Sequence, residues 1–310
     1  IRGVDMCLVY AVVVTYNRYE LLQQNLRALI NQSYSLARIL VVDNASTDGT
    51  LLNLAEDGWT DHPSIRVLAL PDNTGGAGGF AAGMRHALEL GADWLWMMDD
   101  DAVPHRNALE KLLAVAVDKT SVYGSLAVNG DDTSWATTLV SQERKVVNKK
   151  CDVPVLAEVQ SLPFLGFFIN KELVSEIGFP DEGYFIAADD VEYCMRAQHA
   201  GHSVYIAGDS FIEHPKSQRY SFGLFGLKLI CLTLPPWKRY YDTRNRLLIG
   251  KKYYGWRYYF KTIPGSFLRL LAALLNEPHR AAQAKAFFAG LLDGVRGVKG
   301  RRHERWSIRQ

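Results

Sequence analysis

The sequence predicts an α/β protein with a mostly parallel sheet flanked by helices, followed by a helical C-terminal extension. Three observations carry that expectation. The first hundred residues alternate β-branched runs with helically spaced segments. The polar and glycine-rich clusters fall directly after the predicted strands, where open α/β sheets bind ligands. The last third changes character, with Lys and Arg interleaved among Tyr, Trp and Phe. Residues 1–220 are expected to form the α/β unit and 221–310 the helical, basic-aromatic region.

Each element has its own signal. "LVYAVVVT" (8–15) is a continuous β-branched run, as in a strand buried on both faces. "YELLQQNLRALINQ" (19–32) has apolar residues at 21, 22, 26, 29 and 30, a helical spacing. "RILVVDNAS" (38–46) is a second strand ending in turn formers, "TLLNLAEDG" (50–58) a helix and "SIRVLAL" (64–70) a third strand. "GFAAGMRHALELG" (79–91) is a helix with Gly91 as its C-cap. "DWLWMM" (93–98) is the fourth strand. Further on, 108–118 is helical, 121–129 a strand, 130–160 polar and hairpin-like, and 161–178 a strand leading into a helix. "DDVEYCMRAQHAG" (189–201) reads as a helix with an acidic N-terminus and Gly201 as its stop. "HSVYIAGDSFIEHP" (202–215) supplies a strand, a turn and His214.

Composition narrows little. The 310 residues are 48% hydrophobic and 22% charged, ordinary for a globular protein, and a formal charge of +2 excludes no partner class. The four cysteines are scattered without a C-x-x-C pair, so zinc and redox motifs are not indicated and a reduced compartment fits. Met6 is expected as the natural start. The apolar run after it is too short for a signal-peptide core or a membrane span.

"WLWMMDDDAVP" (94–104) drives a buried strand into three carboxylates. Adjacent carboxylates repel one another unless a cation is present, and a hard divalent ion supplies one. Alternating residues of an extended segment point the same way, so Asp99 and Asp101 can approach one ion together. A solvated acidic turn is the competing reading. "GGAGG" (75–79) follows a strand and opens a helix, which favours a phosphate or sugar against backbone free of side chains.

Taken together, "VVTYN" (13–17), "VVDNASTDGT" (42–50), "DNTGGAGGFAAGMRHA" (72–87), "WMMDDDAVP" (96–104), "DDVE" (189–192), His214 and "TRNR" (243–246) resemble the family 2 inverting glycosyltransferases of GT-A fold. The resemblance covers about 1–250. Within the family it is nearest the galactofuranosyltransferases, with the rhamnosyltransferases close behind. It implies that Thr15, Tyr16 and Asn17 hold the nucleotide base, with Asp43 accepting from a uracil-type N–H. An aspartate only accepts and the uracil N3–H only donates, so the chemistry agrees. Asp43 as a turn former capping the next helix is the alternative. Asp72, Asn73 and Gly76 fall near the ribose or donor sugar, and Asp100 is counted with the donor-binding residues. The metal motif falls on Asp99 and Asp101, with His214 completing the site. Mn²⁺ or Mg²⁺ is implied, the imidazole favouring Mn²⁺.

Asp190 is implied as the base that takes the acceptor hydroxyl proton. No protein acid is needed, because the nucleoside diphosphate already leaves well. Asp189 and Glu192 are expected to orient the acceptor, with Gly166 of "FLGFF" lining its side. Trp135 and Tyr184 suit either a sugar platform or the core, and His86 reads as a helix-surface residue. "YYDTRNR" (240–246) stands where processive members carry Q-x-x-R-W, which is absent here. Arg244, with Arg246, is expected on the donor diphosphate or on the acceptor's own phosphate.

The resemblance therefore implies a nucleotide-sugar donor, UDP-galactofuranose first and dTDP-rhamnose second, and a polyprenyl-diphosphate-linked glycan acceptor. Its domain 1–220 is then the donor- and acceptor-binding catalytic domain. Basic and aromatic residues after 221 suit an anionic membrane surface, nucleic acid, or helices with a cationic solvent face. Of these, an anionic membrane surface is expected and no nucleic acid. The expected location is cytoplasmic, on the inner face of the plasma membrane. A nucleotidyltransferase and an inactive scaffold are the rivals from other classes.

Overall fold

The computed structural model describes residues 7–140, 144–224 and 227–310. Met6, parts of the 130–160 segment and the centre of 222–237 lie outside them. The strands are β1 (Val9–Thr15), β2 (Arg38–Asp43), β3 (Ile65–Ala69), β4 (Trp94–Asp99), β5 (Val103–Pro104), β6 (Val122–Asn129), β7 (Asp132–Leu139), β8 (Lys145–Lys149), β9 (Leu156–Glu158), β10 (Leu165–Asn170), β11 (Val204–Glu213), β12 (Arg219–Leu224) and β13 (Leu227–Leu232). The helices are α1 (Tyr19–Ile30), α2 (Thr50–Glu56), α3 (Gly75–Glu89), α4 (Ala108–Val115), α5 (Lys171–Ile177), α6 (Asp189–His199), α7 (Pro236–Tyr253), α8 (Ile263–Asn276) and α9 (Arg280–Arg296). The four cysteines are free thiols.

The chain forms two compact units. The first runs to Pro180 and takes in Tyr193–Lys216; the second holds Asp181–Glu192 and Ser217–Gln310. The first is built on one mixed sheet ordered β3-β2-β1-β4-β10-β6-β11-β5, with β7, β8 and β9 attached beside β6 and β11. Its N-terminal half, β3-β2-β1-β4, is entirely parallel, and β10 reverses direction between β4 and β6.

Burial on both faces explains the unbroken apolar runs. Tyr10, Val12 and Val14 of β1 join Phe80 and Met84 of α3 in one core. Val9, Ala11 and Val13 alternate into a second core with Leu22 and Leu26 of α1 and Leu109 of α4. β4 divides likewise, Leu95 and Met97 to one side, Trp94, Trp96 and Met98 to the other.

The glycine run belongs to this packing more than the sequence suggests. α3 begins at Gly75, four residues before the expected start. A Cβ at Gly79 would stand 2.7 Å from Val14, and one at Gly83 2.5 Å from Val12 and 2.8 Å from Val42. The helix lies so close to β1 and β2 that only hydrogen fits. At Gly76 a Cβ would meet open space, so this glycine alone of the three keeps the expected freedom toward a ligand.

The second unit, taken by itself, comprises the β12–β13 hairpin, helices α7, α8 and α9, the segment 181–192 and a short C-terminal turn. Among the described residues no helix is long and apolar enough to cross a membrane.

Candidate active site

In the first unit, parallel register sets three polar residues at one level of the sheet's carboxyl edge. Thr15 pairs with Asp43, and Val14 pairs with Asp99. The chain must turn away there, so the side chains following the buried runs face the crevice. Asp43 is fully buried; its Oδ2 accepts from the Ser46 amide at 3.1 Å, while its Oδ1 has no hydrogen-bond partner. A buried carboxylate oxygen left open costs stability unless a donor completes it. Asn17, at φ 55°, accepts from the Thr47 amide at 2.7 Å and ties the β1 loop to the β2 loop. Buried Asn44 donates to the Gly75 carbonyl at 2.9 Å and accepts from the Thr74 amide at 2.9 Å, fixing the entry to α3. Asn73 accepts from the Gly75 amide at 2.9 Å, and Asp72 is exposed. Tyr16 is half-buried beside them.

The acidic triplet has an internal counter-charge that sequence reasoning missed. Arg18 Nη1 lies 3.4 Å from Asp100 Oδ1 and 3.0 Å from Asp101 Oδ2. Its position directly after "TYN" was the only available signal. Asp100 is buried and accepts from Thr15 Oγ1 at 2.8 Å. Burial pushes its carboxyl up to about 6, against the pull of Arg18 and Thr15. Burial works against the charge of Asp101 as well, yet His214 and Arg18 hold that carboxyl below the usual range.

His214 Nε2 stands 3.4 Å from Asp101 Oδ1. The histidine is held by its own backbone, its amide donating to Val128 at 2.9 Å and its carbonyl accepting from Ser134 Oγ at 2.7 Å. Asp101 Oδ1 and His214 Nδ1 are both buried without a hydrogen-bond partner. A carboxylate oxygen and an imidazole nitrogen facing each other at 3.4 Å are a donor set that suits Mn²⁺, so these two residues fit such an ion. Among the described residues no three His, Cys, Asp or Glu side chains group as a metal site. The structure therefore brings Asp101 and His214 together without Asp99 as a third member.

Gly166 has a packing role in the sheet. At φ +84° it sits at a register shift of β10, where a Cβ would stand 2.5 Å from Ile212 and 2.7 Å from Ser125. The close approach is to neighbouring strands, so packing of the sheet by itself accounts for this glycine.

The second unit carries the other acids. Asp189 and Asp190 open α6, and Asp190 Oδ1 accepts from the Val191 amide at 2.7 Å. Burial raises both carboxyls; the charge of Asp190 adds to the effect at Asp189, while Arg246 opposes it at Asp190. Glu192 is fully buried, and its Oε1 accepts from Lys252 Nζ at 2.8 Å and Tyr253 Oη at 2.6 Å. Its charge is held by α7, which argues for support of the helix entry over contact with an acceptor.

Arg244 departs from expectation. Its guanidinium is fully buried and donates to the carbonyls of Gly300 at 2.5 Å, Gly183 at 3.0 Å and Tyr184 at 2.8 Å. It also lies against the Tyr240 and Tyr241 rings. Engaged in this way, it is not presented to a diphosphate. Its neighbour Asn245, unremarked in the sequence, donates through Nδ2 to Tyr184, Ile186 and Ala187 carbonyls at 3.0, 2.8 and 2.7 Å. These carbonyls belong to a strained loop. Phe185, Ala187 and Ala188 have φ of 64°, 71° and 60°, and such residues cost about 1–3 kcal/mol each.

A half-parallel α/β sheet with buried polar side chains and clustered carboxylates at its carboxyl edge is the arrangement of α/β proteins that bind ligands there. Residues 10–178 match the glycosyl transferase family 2 model, and the chain belongs to that family, whose members are inverting glycosyltransferases. It is 33% identical over 208 residues to galactofuranosyltransferase GlfT1 of Mycolicibacterium smegmatis, covering 63% of this chain and 66% of that protein. It is 27% identical over 304 residues to dTDP-rhamnosyl transferase RfbF of Shigella flexneri, covering 94% and 97%. The crystal structure of GalNAc-T7 with UDP, GalNAc and Mn²⁺ superposes with a TM-score of 0.62 at 12% identity, covering 98% of this chain and 59% of that one. The last likeness establishes the GT-A fold alone. The chain thus spans about two thirds of the Mycolicibacterium smegmatis GlfT1 and less of GalNAc-T7.

Proposed function

We propose that the protein transfers galactofuranose from UDP-galactofuranose to a lipid-linked glycan in cell-surface polysaccharide synthesis, with inversion at the anomeric carbon. The observation that carries the donor half is buried Asp43 with its open Oδ1, beside Thr15, Tyr16 and Asn17. A uracil N3–H completes that acceptor. Asp72, Asn73 and Gly76 border the donor sugar. A divalent ion, Mn²⁺ or Mg²⁺, would be held by Asp101 and His214, with Asp99 and Asp100 adding negative field. When bound it supplies charge to the departing diphosphate. Asp190 takes the proton of the attacking hydroxyl, its raised affinity for protons suiting a base that works near neutral pH. Asp189 adjoins it on the acceptor side.

A second donor has its own support. A thymine presents the same N3–H as uracil, so Asp43 does not distinguish dTDP-rhamnose from UDP-galactofuranose. The match to RfbF spans nearly all of both chains, whereas that to GlfT1 covers less. The deciding test is donor consumption across a panel of nucleotide sugars with Mn²⁺ present and absent. Turnover of UDP-galactofuranose alone supports the first reading, and turnover of dTDP-rhamnose alone replaces it. Release of pyrophosphate from a nucleoside triphosphate would move the protein to another class.

A polyprenyl-diphosphate acceptor places the work at a membrane, and the second unit suits the cytoplasmic face. Trp256, Tyr259 and Phe260 are each about two thirds exposed or more, at 66%, 65% and 73%. Residues 217–310 contain nineteen Lys and Arg against four Asp and Glu. Exposed aromatics within strong positive charge suit the headgroup layer of an anionic bilayer.

A further inference from the structure

We infer that Arg244 and Asn245 are positioning residues for Asp190. The inference rests on the proposed role of Asp190 as base and concerns the second unit alone. Three of the four residues Phe185–Ala188 hold left-handed backbone without being glycine. Phe185, at φ 64° and ψ −64°, makes a γ-turn closed by the Ile186 amide on the Tyr184 carbonyl at 2.8 Å, a rare and strained conformation. A free chain leaves such a geometry, so something must hold it.

The holding groups are two consecutive residues of α7. Asn245 Nδ2 faces three carbonyls of the loop, those of Tyr184, Ile186 and Ala187. The Arg244 fork takes Gly183 and Tyr184, and its Nε donates to Asn245 Oδ1 at 2.9 Å, which fixes the amide's orientation. Both side chains are fully buried. The Phe185 ring stacks on Tyr241 at 5.0 Å. Ala188, the last strained residue, accepts the Glu192 amide at 2.9 Å and so starts the turn that bears Asp190. Arg246, next on α7, is the cation whose field acts on Asp190. The motif "RNR" thus reads as two loop clamps followed by one charge.

The experiment measures kcat, donor KM, UDP affinity and Tm for Asn245→Ala, Arg244→Lys and Asn245→Ala/Ala188→Gly. Misplacing a reacting group by about 1 Å costs about a hundredfold in rate, so kcat is expected to fall about that much in both single variants. Donor KM and UDP affinity should stay near wild type. Glycine at 188 removes the cost of left-handed backbone at that residue, so the double variant should regain Tm and kcat together. Regained Tm with kcat still low, or wild-type kcat in both single variants, overturns the inference. Should Asn245→Ala not fold, Arg244→Lys keeps the charge, loses the fork and carries the same readouts. Asp190→Asn serves as the control: full turnover in that variant sinks the base assignment itself, whereas an inactive Asp190→Asn with an unaffected Asn245→Ala removes only the clamp.

Discussion

Asp101 Oδ1 and His214 Nε2 lie 3.4 Å apart, brought together from the ends of β4 and β11 across 113 residues of chain. At that separation the contact is not a good hydrogen bond, and each residue keeps a polar atom without a hydrogen-bond partner. The pair is open to a third group. UDP affinity is expected to rise with Mn²⁺, and Asp101→Ala should remove most of that rise. His214→Ala should weaken it by at least the roughly 10–100-fold that follows loss of a group merely supporting a metal ligand. Calorimetric titration of UDP with and without Mn²⁺ checks this; metal-independent affinity in the native protein would end the metal assignment.

Arg18 is the resident cation of the triplet. Without it, Asp100 keeps its burial and loses a charged partner. Arg18→Ala is expected to lower stability by about 1 kcal/mol or less, because the guanidinium is half exposed and Asp100 keeps its hydrogen bond from Thr15. Added Mn²⁺ should then raise Tm more in this variant than in the native protein, because the repulsion it relieves is greater. Equal Mn²⁺-induced shifts in the two proteins would show that the arginine does not stand in for the ion.

Activity and stability should respond to pH in opposite senses through Asp189 and Asp190. Both carboxyls sit above the usual range in the fold, with Glu192 and Arg246 as their charged neighbours. Base catalysis needs the ionised form, so kcat is expected to fall as pH drops through the raised value, well before pH 4. For stability the sign reverses. A group with raised folded pKa binds more protons in the native state, so its contribution is lost as pH rises from the unfolded value through the folded one. Asp189→Asn should flatten the decline of Tm between about pH 4 and 8. An acid limb near pH 4 in the kcat profile, or a Tm slope unchanged by the substitution, contradicts this.

Asp190→Asn is expected to cut transfer by about 10²–10⁴-fold while UDP binding persists. Stopped assays of transfer beside UDP titration separate the two effects.

The α3 glycines should divide by role. Gly83→Ala drives a methyl into Val12 and Val42 and is expected to cost about 1–3 kcal/mol. Gly76→Ala meets nothing and should hold or raise Tm, gaining about 0.5–1 kcal/mol from helix preference. Denaturant melts of the two variants test the contrast, and a Gly83→Ala protein as stable as the native one would contradict the packing.

At the membrane-facing patch, Trp256→Ser/Phe260→Ser should reduce sedimentation with phosphatidylglycerol vesicles and leave transfer to a soluble acceptor intact. Deleting 297–310 removes the basic C-terminal stretch, and comparing that variant with the aromatic pair assigns the anchor. Equal vesicle binding by all three proteins would reject the surface role.

Local pattern determined much of this protein by itself. The β-branched runs, the helical spacing of 19–30 and the turn formers after each strand specify an α/β sheet with polar loops at one edge, because burial on both faces demands continuous apolar strands. The carboxylates that could carry chemistry were also visible there, since charge after a buried strand needs a reason. Tertiary structure decided what each polar group faces. Arg244 reads as a phosphate ligand in a linear motif, yet it lies buried against the carbonyls of a loop some sixty residues earlier in the chain. Gly79 reads as ligand-facing, yet it and Gly83 are set by the approach of α3 to β1 and β2. Arg18 and Asn245 were silent because a side chain's partner depends on distances that close only when remote segments pack, and sequence spacing holds no information about them.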